Sequence, residues 1–478
     1  MCAIHIKRIR GHEYAYDVTS YWDKEQKKYR KKTVYVGKVL DKEKGLYEKR
    51  SDRAGNVEER LRQSLILSFG DTYALSEFLE KLPLGRLIEK SLPEEGDTLK
   101  GLLYYRILKE SAMQYAQTWM EGNYARILYP KARLTSQSIS KFLKTLGEEG
   151  VWRKFFQSYL AQASGEEAAV IIDSTGLPNE IDIPISAFGC HGGEIERETR
   201  LLMVMDQASG MPLYFRYMAG NIVDVSTLAT TMMELEYYGV KTAFALIDAG
   251  YFSQENIGKL YQNRIAFLTR LPARRVLYKE LIRAHAQDLE KAENAVVYGK
   301  RVLYVKRIQV DLYDYEGYAY VVCDIHRKAQ ETTKLLLEAK ETALMPEEIE
   351  EALIFKGKFV IVSSREIPIE EVLPLCYMRQ TAEALFGISK DSLDLIPLRV
   401  HSIEAFRGYL MLNFMALILY LELKKALKGK YTVEGALSEL RNLMCTIYEK
   451  KAIVMEPTKR MKEIFSLLDI KVPLSLRV

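Results

Sequence analysis

The sequence is poor in the residues that stiffen or cross-link a chain. Its 478 residues include 5 cysteines, 13 prolines and 3 tryptophans. The odd number of scattered cysteines argues against a disulfide framework and favours free thiols in a reducing compartment. The low proline and glycine counts exclude a collagen-like or largely disordered chain. With 48% hydrophobic residues, a chain of this length predicts a globular protein of about two to four structural units.

A long hydrophobic run is also missing. The longest run, from Tyr409 to Leu421, has 13 residues and is interrupted by Asn413, whereas a helix needs about 20 residues to span a bilayer. We therefore predict a buried core helix here and no membrane partner. The first residues, MCAIHIKRIRGHEY, contain no apolar segment typical of a secretory signal, which favours a cytoplasmic location.

Charge of one sign does not dominate the chain, but it is unevenly distributed. The net charge is +5, yet residues 1–60 alone contain 16 Lys and Arg against 10 Asp and Glu. The remainder is close to neutral and by itself points to no polyanionic partner. Six of the nine residues from Lys24 to Lys32 are basic, and three aromatic residues, Tyr21, Trp22 and Tyr29, lie beside or among them.

Such a basic hairpin is either a solvated tip or a contact for the DNA backbone. The aromatic residues favour the contact. We predict that it binds DNA phosphates through five cations, namely Lys27, Lys28, Arg30, Lys31 and Lys32.

The spacing of apolar residues changes along the chain and predicts an α/β protein. Alternation near the start predicts a small β-rich unit, and three- and four-residue spacing after it predicts a helical domain. Short apolar runs combined with helical patterns then predict an α/β core, which a mostly β segment interrupts. The predicted divisions are 1–63 (basic, β-rich), 64–160 (helical), 161–273 with 366–430 (α/β core), 274–365 (β-rich insertion) and 431–478 (helical).

Two apolar runs in the predicted core end in a carboxylate. AAVIID ends at Asp173 and TAFALID ends at Asp248. Because open α/β sheets place their sites at the carboxyl ends of strands, we predict that the two acids lie side by side. Adjacent carboxylates repel one another unless a cation or a proton neutralises them. Either acid taken alone would more often cap a turn or a helix.

A third acid is predicted in the helical segment EEVLPLCYMRQTAEALFGISKD. At 100° per residue, Arg379, Glu383 and Lys390 project from one face of a continuous helix. A helix face that packs in a core would not normally carry an acid between two bases. The simpler interpretation is an exposed Glu383 that pairs with Arg379. Two Asp and one Glu can hold two Mg²⁺ ions through hard oxygen ligands, and the two bases would then bind phosphates.

These segments together resemble a known family. IIDSTG around Asp173, ALIDAGYFS around Asp248 and CYMRQTAEALFGISKD around Glu383 resemble the DDE transposases of bacterial insertion sequences, in the group with a Tyr-Arg-Glu-Lys signature. The similarity extends from SYWDKEQKKYRKKTVYVGKVL to IPLRVHSIEAFRGYLMLNFMALILYLEL and therefore covers most of the chain.

The signature itself is matched at three of its four positions. In the family, Arg precedes the catalytic Glu by four residues and Lys follows it by seven, and Arg379 and Lys390 stand at both intervals from Glu383. The signature Tyr would stand three residues before the Arg. This chain has Cys376 there, and Tyr377 follows one residue later.

The resemblance implies a fold, a cofactor and partners. The fold would be an RNase H-like catalytic core, and the cofactor two Mg²⁺ or Mn²⁺ ions held by Asp173, Asp248 and Glu383. The partner would be double-stranded DNA, both the terminal inverted repeats of the element and the target, with Tyr377 against the DNA near the cleaved phosphate. A homodimer on DNA and association with the bacterial nucleoid are implied as well.

The predicted function is therefore a DNA transposase that cleaves phosphodiester bonds at the ends of its element and transfers the 3′-hydroxyl ends to target DNA. Two other functions remain open. One is a catalytically inactive or regulatory DNA-binding protein, which the replacement of the signature Tyr by Cys376 favours. The other is a stand-alone metal-dependent nuclease, which would cut DNA without joining ends.

Overall fold

A computed structural model of the chain separates into two compact units. One unit comprises Met1–Leu67, Met444–Glu456 and Pro473–Val478, and the other comprises Ser68–Leu443 and Pro457–Val472. The structure describes residues 2–9, 11–23, 27–48, 64–108, 111–163, 167–190, 195–222, 227–342, 345–448 and 450–478.

The first unit contains two four-stranded sheets. The strands of one sheet are, in spatial and chain order, β1 (Cys2–Ile9), β2 (His12–Asp23), β3 (Lys28–Asp41) and β4 (Leu46–Glu48). The other sheet combines β5 (Leu65–Ser68) with three strands near the end of the chain, β16 (Met444–Tyr448), β17 (Lys451–Val454) and β18 (Ser475–Arg477). The region 431–478, predicted to be helical, therefore also holds strands. They are three to five residues long, and pairing in the sheet, which the sequence pattern does not reveal, stabilises them.

Seven helices occupy the described part of residues 68–163 in the second unit. They are α1 (Gly70–Lys81), α2 (Pro83–Ser91), α3 (Gly96–Leu108), α4 (Ala116–Glu121), α5 (Ala125–Leu128), α6 (Ser136–Leu146) and α7 (Glu149–Ala163). Apolar residues at three- and four-residue spacing form their buried faces. In α6, for example, Ile139, Phe142, Leu143 and Leu146 are all buried.

A mixed sheet of ten strands positions the candidate site in the second unit. Its strands are β6 (Glu167–Pro178), β7 (Ala187–Cys190), β8 (Ile195–Asp206), β9 (Pro212–Ala219), β10 (Lys241–Ile247), β11 (Ala266–Arg270), β12 (Ala295–Tyr298), β13 (Arg301–Asp311), β14 (Glu316–Asp324) and β15 (Lys358–Ser363). The spatial order is β12-β13-β14-β15-β11-β10-β6-β8-β7, and β9 also pairs with β8. Strands β6, β10 and β11 are parallel, whereas β8 is antiparallel to β6 and β9.

Ten further helices complete the described part of the second unit. Helix α9 connects β10 to β11, because parallel strands need a crossover connection. The helices are α8 (Leu228–Tyr237), α9 (Gln254–Gln262), α10 (Val276–His285), α11 (Ile325–Thr342), α12 (Pro346–Phe355), α13 (Ile369–Tyr377), α14 (Gln380–Gly387), α15 (Ile403–Ala426), α16 (Val433–Arg441) and α17 (Lys459–Leu467).

Residues 274–365 differ from the predicted mostly β insertion. Helices α10, α11 and α12 occupy more of this segment than its four strands do. Strand β15 pairs with β11 as well as with β14, so the strands of the segment continue the core sheet. The strongly alternating runs around β13 and β14 dominated the prediction, although α10 buries Tyr278, Leu281 and Ile282 at helical spacing.

Helix α15 is the predicted buried core helix. Every residue from Tyr409 to Leu421 is buried. Among the described residues, α15 alone is long and apolar enough to cross a membrane, and 89% of its most apolar 18-residue window is buried inside the protein. Phe414 packs on Phe155 of α7 and on Phe215 of β9, with the latter ring centroids 5.1 Å apart. The helix therefore connects the helical segment to the sheet.

Candidate active site

The register of strands β6 and β10 brings the first two predicted acids together. Ile172 of β6 pairs with Ile247 of β10 in parallel register. Asp173 directly follows Ile172, and Asp248 directly follows Ile247. The two acids therefore lie side by side, as predicted. One guanidinium contacts both carboxylates, which places their oxygens around a common point.

Asp173 does not stand at a strand end, in contrast to the prediction. Strand β6 continues to Pro178 and pairs with β8 throughout, with Asp173 opposite Met203. The segment after Asp173 reads as a turn in sequence because it contains Ser, Thr, Gly and Pro. Pairing with the long antiparallel neighbour β8 instead keeps it extended. The parallel neighbour β10, in contrast, ends at Ile247, which pairs with Ile172.

Asp248 combines two roles. Its Oδ2 accepts a hydrogen bond from the backbone N–H of Gly250 at 3.1 Å, which caps the short 3₁₀-helix Ala249–Tyr251. Its Oδ1 accepts a hydrogen bond from Arg379 Nη1 at 2.5 Å. The capping role therefore fixes the orientation of the carboxylate without using the oxygen that faces the other acids.

Arg379 joins all three predicted acids. Its Nη1 lies 3.4 Å from Asp173 Oδ2 and 2.5 Å from Asp248 Oδ1, and its Nη2 lies 3.0 Å from Glu383 Oε1. The planar guanidinium presents several N–H groups in a fixed fork, which allows one side chain to serve three carboxylates. The exposed fractions of the acid side chains rise from 10% for Asp173 to 31% for Asp248 and 58% for Glu383.

The signature residues do not lie on one continuous helix, in contrast to the prediction. Helix α13 ends at Tyr377, Arg379 is the N-cap residue of α14, and Lys390 lies in a π-helical turn, Ile388–Ser392. At the break, the N–H of Thr381 bonds to Met378 O and that of Ala382 bonds to Arg379 O. These three-residue bonds tighten the turn. The 100° projection therefore fails across the segment, although Arg379 and Glu383 still meet.

Lys390 reaches the strand that carries Asp173. Its Nζ donates hydrogen bonds to Thr175 Oγ1 at 2.8 Å and to the backbone oxygen of Gly176 at 2.9 Å. Thr175 lies two residues after Asp173 and so faces the same side of the strand. Burial lowers the pKa of the Lys390 ammonium below its ordinary value.

Asp173 has a strongly perturbed carboxyl group. Burial raises its pKa to about 7; the Arg379 guanidinium opposes the rise, and the neighbouring Asp248 carboxylate adds to it. Burial of Asp173 therefore outweighs the stabilisation of its carboxylate by the Arg379 guanidinium. A perturbed acid of this kind, beside a specific charge partner, is typical of functional sites.

Tyr377 packs against other protein rings. Its ring stacks on that of Tyr298 with centroids 5.0 Å apart and planes 11° apart, and the Arg270 guanidinium lies 6.0 Å from its centroid. Burial raises the pKa of the Tyr377 hydroxyl. A role against DNA stays a prediction for this residue.

Arg270 is a site residue that the sequence analysis missed. It is the last residue of β11, and since Thr269 pairs with Ile247, Arg270 lies next to Asp248. It lines a cavity of about 140 Å³ together with Asp248, Cys376, Arg379 and Glu383. The available signal was a basic residue at the carboxyl end of the third apolar run, AFLTR, beside the strand that leads to Asp248.

The predicted DNA-contact cations lie in the first unit. Lys27 is in the turn, with φ of 47°, and Lys28, Arg30, Lys31 and Lys32 follow on β3. All five are exposed. Trp22 lies opposite Tyr29 with ring centroids 4.9 Å apart, so the aromatic residues flank the cations as expected. Lys24, the first residue of the predicted basic stretch, lies outside the described residues.

The three acids have the donor chemistry for a divalent cation, but they are not gathered as ligands of one ion. Among the described residues, no group of three or more His, Cys, Asp or Glu stands ready to hold a metal. Carboxylate oxygens are the ligands that Mg²⁺ prefers, and the Oδ or Oε atoms of all three acids already accept from one cationic group, Arg379. The residues therefore fit a cation that would replace the Arg379 contacts.

A mixed sheet flanked by helices, with carboxylates, an arginine and a lysine clustered beside it, defines an α/β protein with a candidate active site. A family model described as the transposase DDE domain matches residues 164–419, just over half of the chain. The protein therefore belongs to the DDE transposase domain family.

Comparison with solved structures gives a more distant similarity. One similar structure is that of the piggyBac transposase synaptic complex with hairpin DNA. Its transposase chain is 11% identical to this chain, with a TM-score of 0.37, and the match covers 83% of this chain and 70% of that chain. No curated protein matches this chain.

Proposed function

We propose that the protein is a DNA transposase of an insertion element, with Asp173, Asp248 and Glu383 as its catalytic acids. The observation that carries the proposal is that three acids, from β6, from the end of β10 and from α14, converge on one guanidinium. The membership of the chain in the DDE transposase domain family supports this assignment. The proposed reaction is cleavage at the element ends followed by transfer of the 3′-hydroxyl ends to target DNA.

The proposed catalytic core is RNase H-like and spans β6 to β11 together with α14. Support comes from the parallel arrangement of β6, β10 and β11, with β8 and β9 antiparallel beyond β6. This order places one acid on a central strand and the next acid at the end of its parallel neighbour. The proposed group is the one with the Tyr-Arg-Glu-Lys signature, carried here by Arg379, Glu383 and Lys390.

Asp173, Asp248 and Glu383 would hold two Mg²⁺ or Mn²⁺ ions. Bound ions of this kind activate a water or a 3′-hydroxyl and stabilise the leaving oxygen. The chain supplies the positions of the acids. Asp248 is oriented by its cap on Gly250, Asp173 is held in a paired strand, and Glu383, which is more exposed, can adjust its side chain.

The proposed phosphate-binding groups are Arg379 and Lys390. Guanidinium and ammonium groups bind phosphate oxygens by charge-assisted hydrogen bonds. Lys390 is held by Thr175 and Gly176, two and three residues beyond Asp173, so it would orient a phosphate relative to the acids. The exposed cations from Lys27 to Lys32 would supply affinity for the DNA backbone that is independent of sequence.

The proposed partners are the terminal inverted repeats of the element and the target DNA. Two ends must be brought together for transposition, so we propose a homodimer on DNA. The proposed location is the bacterial cytoplasm, in association with the nucleoid. Terminal inverted repeats on either side of the coding region would support the assignment and would supply the substrate for its test.

An Mg²⁺-dependent cleavage assay on duplex DNA that carries the element ends tests the function. Asp248→Asn keeps the amide oxygen that can cap Gly250 but removes a charge, so it should fold and lose at least about 100-fold in cleavage rate. The matched control is Asp311→Asn, since Asp311 is exposed and also accepts a backbone N–H, from Asp314. Equal cleavage by wild type and Asp248→Asn would contradict the assigned role.

The same assay separates the two other functions. A regulatory DNA-binding protein, which Cys376 in the place of the signature Tyr favours, would bind the element ends with a steep salt dependence but would give no product. A stand-alone nuclease would cleave without joining the ends to target DNA.

A further inference from the structure

One guanidinium occupies the centre of the carboxylate cluster. Arg379 donates to one oxygen of each acid, namely Asp173 Oδ2, Asp248 Oδ1 and Glu383 Oε1. These acids come from three elements that are far apart in the chain, so Arg379 is the group that connects them. Its side chain is 31% exposed and can therefore leave towards solvent without unfolding the sheet.

The contacts have a clear electrostatic cause. Two acids side by side on parallel strands repel one another, and Asp173 is poorly hydrated because it is buried. A positive group between them lowers the cost of keeping both ionised. Removing one partner from such a group leaves uncompensated charge, which is costly in a partly buried site.

The guanidinium and a divalent cation cannot use these oxygens at the same time. Mg²⁺ needs its oxygen ligands at about 2.0–2.1 Å in a nearly octahedral arrangement. Arg379 Nη1 donates to both Asp173 Oδ2 and Asp248 Oδ1, so it uses the oxygens that a cation held by both acids would need.

We propose that Arg379 is the internal counter-ion of the metal-free cluster and that a divalent cation binds only when the guanidinium is displaced. The proposal rests on the proposed function, because it takes the three acids as the metal site. Arg379 thereby lowers the affinity of the DNA-free protein for metal. Once displaced, the same guanidinium is released for a DNA phosphate, so the residue serves both states of the site.

Arg270 provides a matched control for charge. It lines the same cavity as Arg379 and lies next to Asp248 in the sheet. Its guanidinium lies over the rings of Phe359, at 4.7 Å from the centroid, and Tyr377. Removal of Arg270 therefore changes the local charge by the same amount without removing the three contacts that Arg379 makes.

Mn²⁺ titration of the full-length, DNA-free protein, followed by the electron paramagnetic resonance signal of free Mn²⁺, tests the proposal. Arg379→Gln should bind Mn²⁺ at least about tenfold more tightly than wild type, because several ion pairs no longer compete with the metal. Arg270→Gln should change the affinity by less than about threefold. The double variant Arg379→Gln/Asp248→Asn should lose the gain.

Three results would overturn the proposal. They are equal affinity of wild type and Arg379→Gln, an equal gain in Arg270→Gln, and a gain that persists in the double variant. If Arg379→Gln does not fold, as judged by circular dichroism, Arg379→Lys replaces it. A lysine ammonium has one nitrogen in place of the two, Nη1 and Nη2, that contact the acids, so a smaller gain is expected there, and unchanged affinity would again overturn the proposal.

The outcome is independent of the cleavage assay. If Arg379→Gln gains Mn²⁺ affinity but the wild type cleaves no element-end DNA, the counter-ion role stands and the transposase function falls. If the wild type cleaves DNA but Arg379→Gln shows no gain, the function stands and the counter-ion role falls.

Discussion

At the scale of single residues, burial favours the neutral forms of two groups of the site, the buried Asp173 and the half-buried Lys390. Asp173 has a raised pKa and Lys390 a lowered one, and burial is the largest cause of both shifts. Lys390 contacts Thr175, which faces the same side of β6 as Asp173. The two groups therefore lie on one side of the strand. An added opposite charge favours the charged form of each group, which is the expected effect of a cation on Asp173 and of a phosphate on Lys390.

The raised pKa of Asp173 predicts how stability depends on pH in the metal-free protein. An acid whose pKa is raised on folding, here from 3.8 to about 7, binds more protons in the folded state between these values. Its contribution to stability is complete below about pH 4 and is lost as the pH rises to 7. From pH 5 to pH 7, the free energy of unfolding should fall by about 2 kcal/mol relative to Asp173→Asn.

Urea unfolding at several pH values in the presence of a chelator checks this expectation. The quantity compared is the difference in unfolding free energy between wild type and Asp173→Asn at each pH. Asp311→Asn, in which an exposed acid is replaced, should follow the wild type. A difference that does not change with pH would contradict the raised pKa of Asp173.

At the scale of elements, the helices that meet the sheet are positioned by close backbone contacts. Helix α6 crosses α15 where Gly147 and Gly408 lie. A Cβ atom at Gly408 would stand 1.9 Å from the backbone oxygen of Leu143, and one at Gly147 would stand 1.8 Å from that of Glu404. No side chain fits at either position, so the two helices touch backbone to backbone.

Replacement of Gly408 should therefore destabilise the protein even though it removes a glycine from a helix. In a helix interior Gly→Ala normally stabilises by up to about 1 kcal/mol. Here the methyl group would force α6 and α15 apart, and we expect Gly408→Ala to cost about 2–3 kcal/mol. The midpoint of urea unfolding measures the change.

Gly150→Ala is the matched control for this substitution. Gly150 lies in α7, and a Cβ atom there would meet nothing within 4 Å. We expect this variant to unfold at an equal or higher urea concentration than wild type. A Gly408→Ala variant as stable as Gly150→Ala would show that the crossing tolerates a methyl group.

At the scale of the whole molecule, the positive charge belongs to one unit and the acid cluster to the other. Residues 1–60 contain the excess of Lys and Arg, and the exposed cations of β3 lie in the first unit. Asp173, Asp248 and Glu383 lie in the second unit. The proposed DNA contacts and the proposed catalytic acids therefore lie in different units and can be substituted separately.

A variant in which the five basic residues from Lys27 to Lys32 are replaced by Gln should bind DNA more weakly and with less dependence on salt. Each lost phosphate contact lowers the slope of log K against log salt by about 0.9. If all five cations contact phosphates, the slope should fall by about 4.5. A gel-shift titration over a range of salt concentrations measures it, and Mn²⁺ affinity should stay the same.

The control for charge removes five exposed lysines from the second unit. They are Lys154, Lys279, Lys334, Lys340 and Lys424. This variant has the same net charge as the first, so a general charge effect would lower the slope equally in both. An equal reduction would exclude a specific contact through the β2–β3 hairpin.

Much of the candidate site could be predicted because its parts have local signals. Short apolar runs that end in Asp173 and Asp248 predict neighbouring parallel strands, and the family's intervals to Arg379 and Lys390 single out Glu383 as the third acid. The error at Asp173 came from the polar segment after it, which forms strand because β8 pairs with it. The predicted mostly β insertion was wrong in content because the alternating runs of β13 and β14 outweighed the helical spacing of apolar residues in α10.

The sequence by itself determined which residues carry charge, which runs can be buried and in what order the acids occur. Those properties depend on residue type and spacing along the chain. Only the tertiary structure decided that Arg379 contacts all three acids, that Lys390 reaches Thr175 and that Arg270 lies beside Asp248. These contacts join residues that are distant in sequence, and they depend on strand register and on the break between α13 and α14, which long-range packing determines.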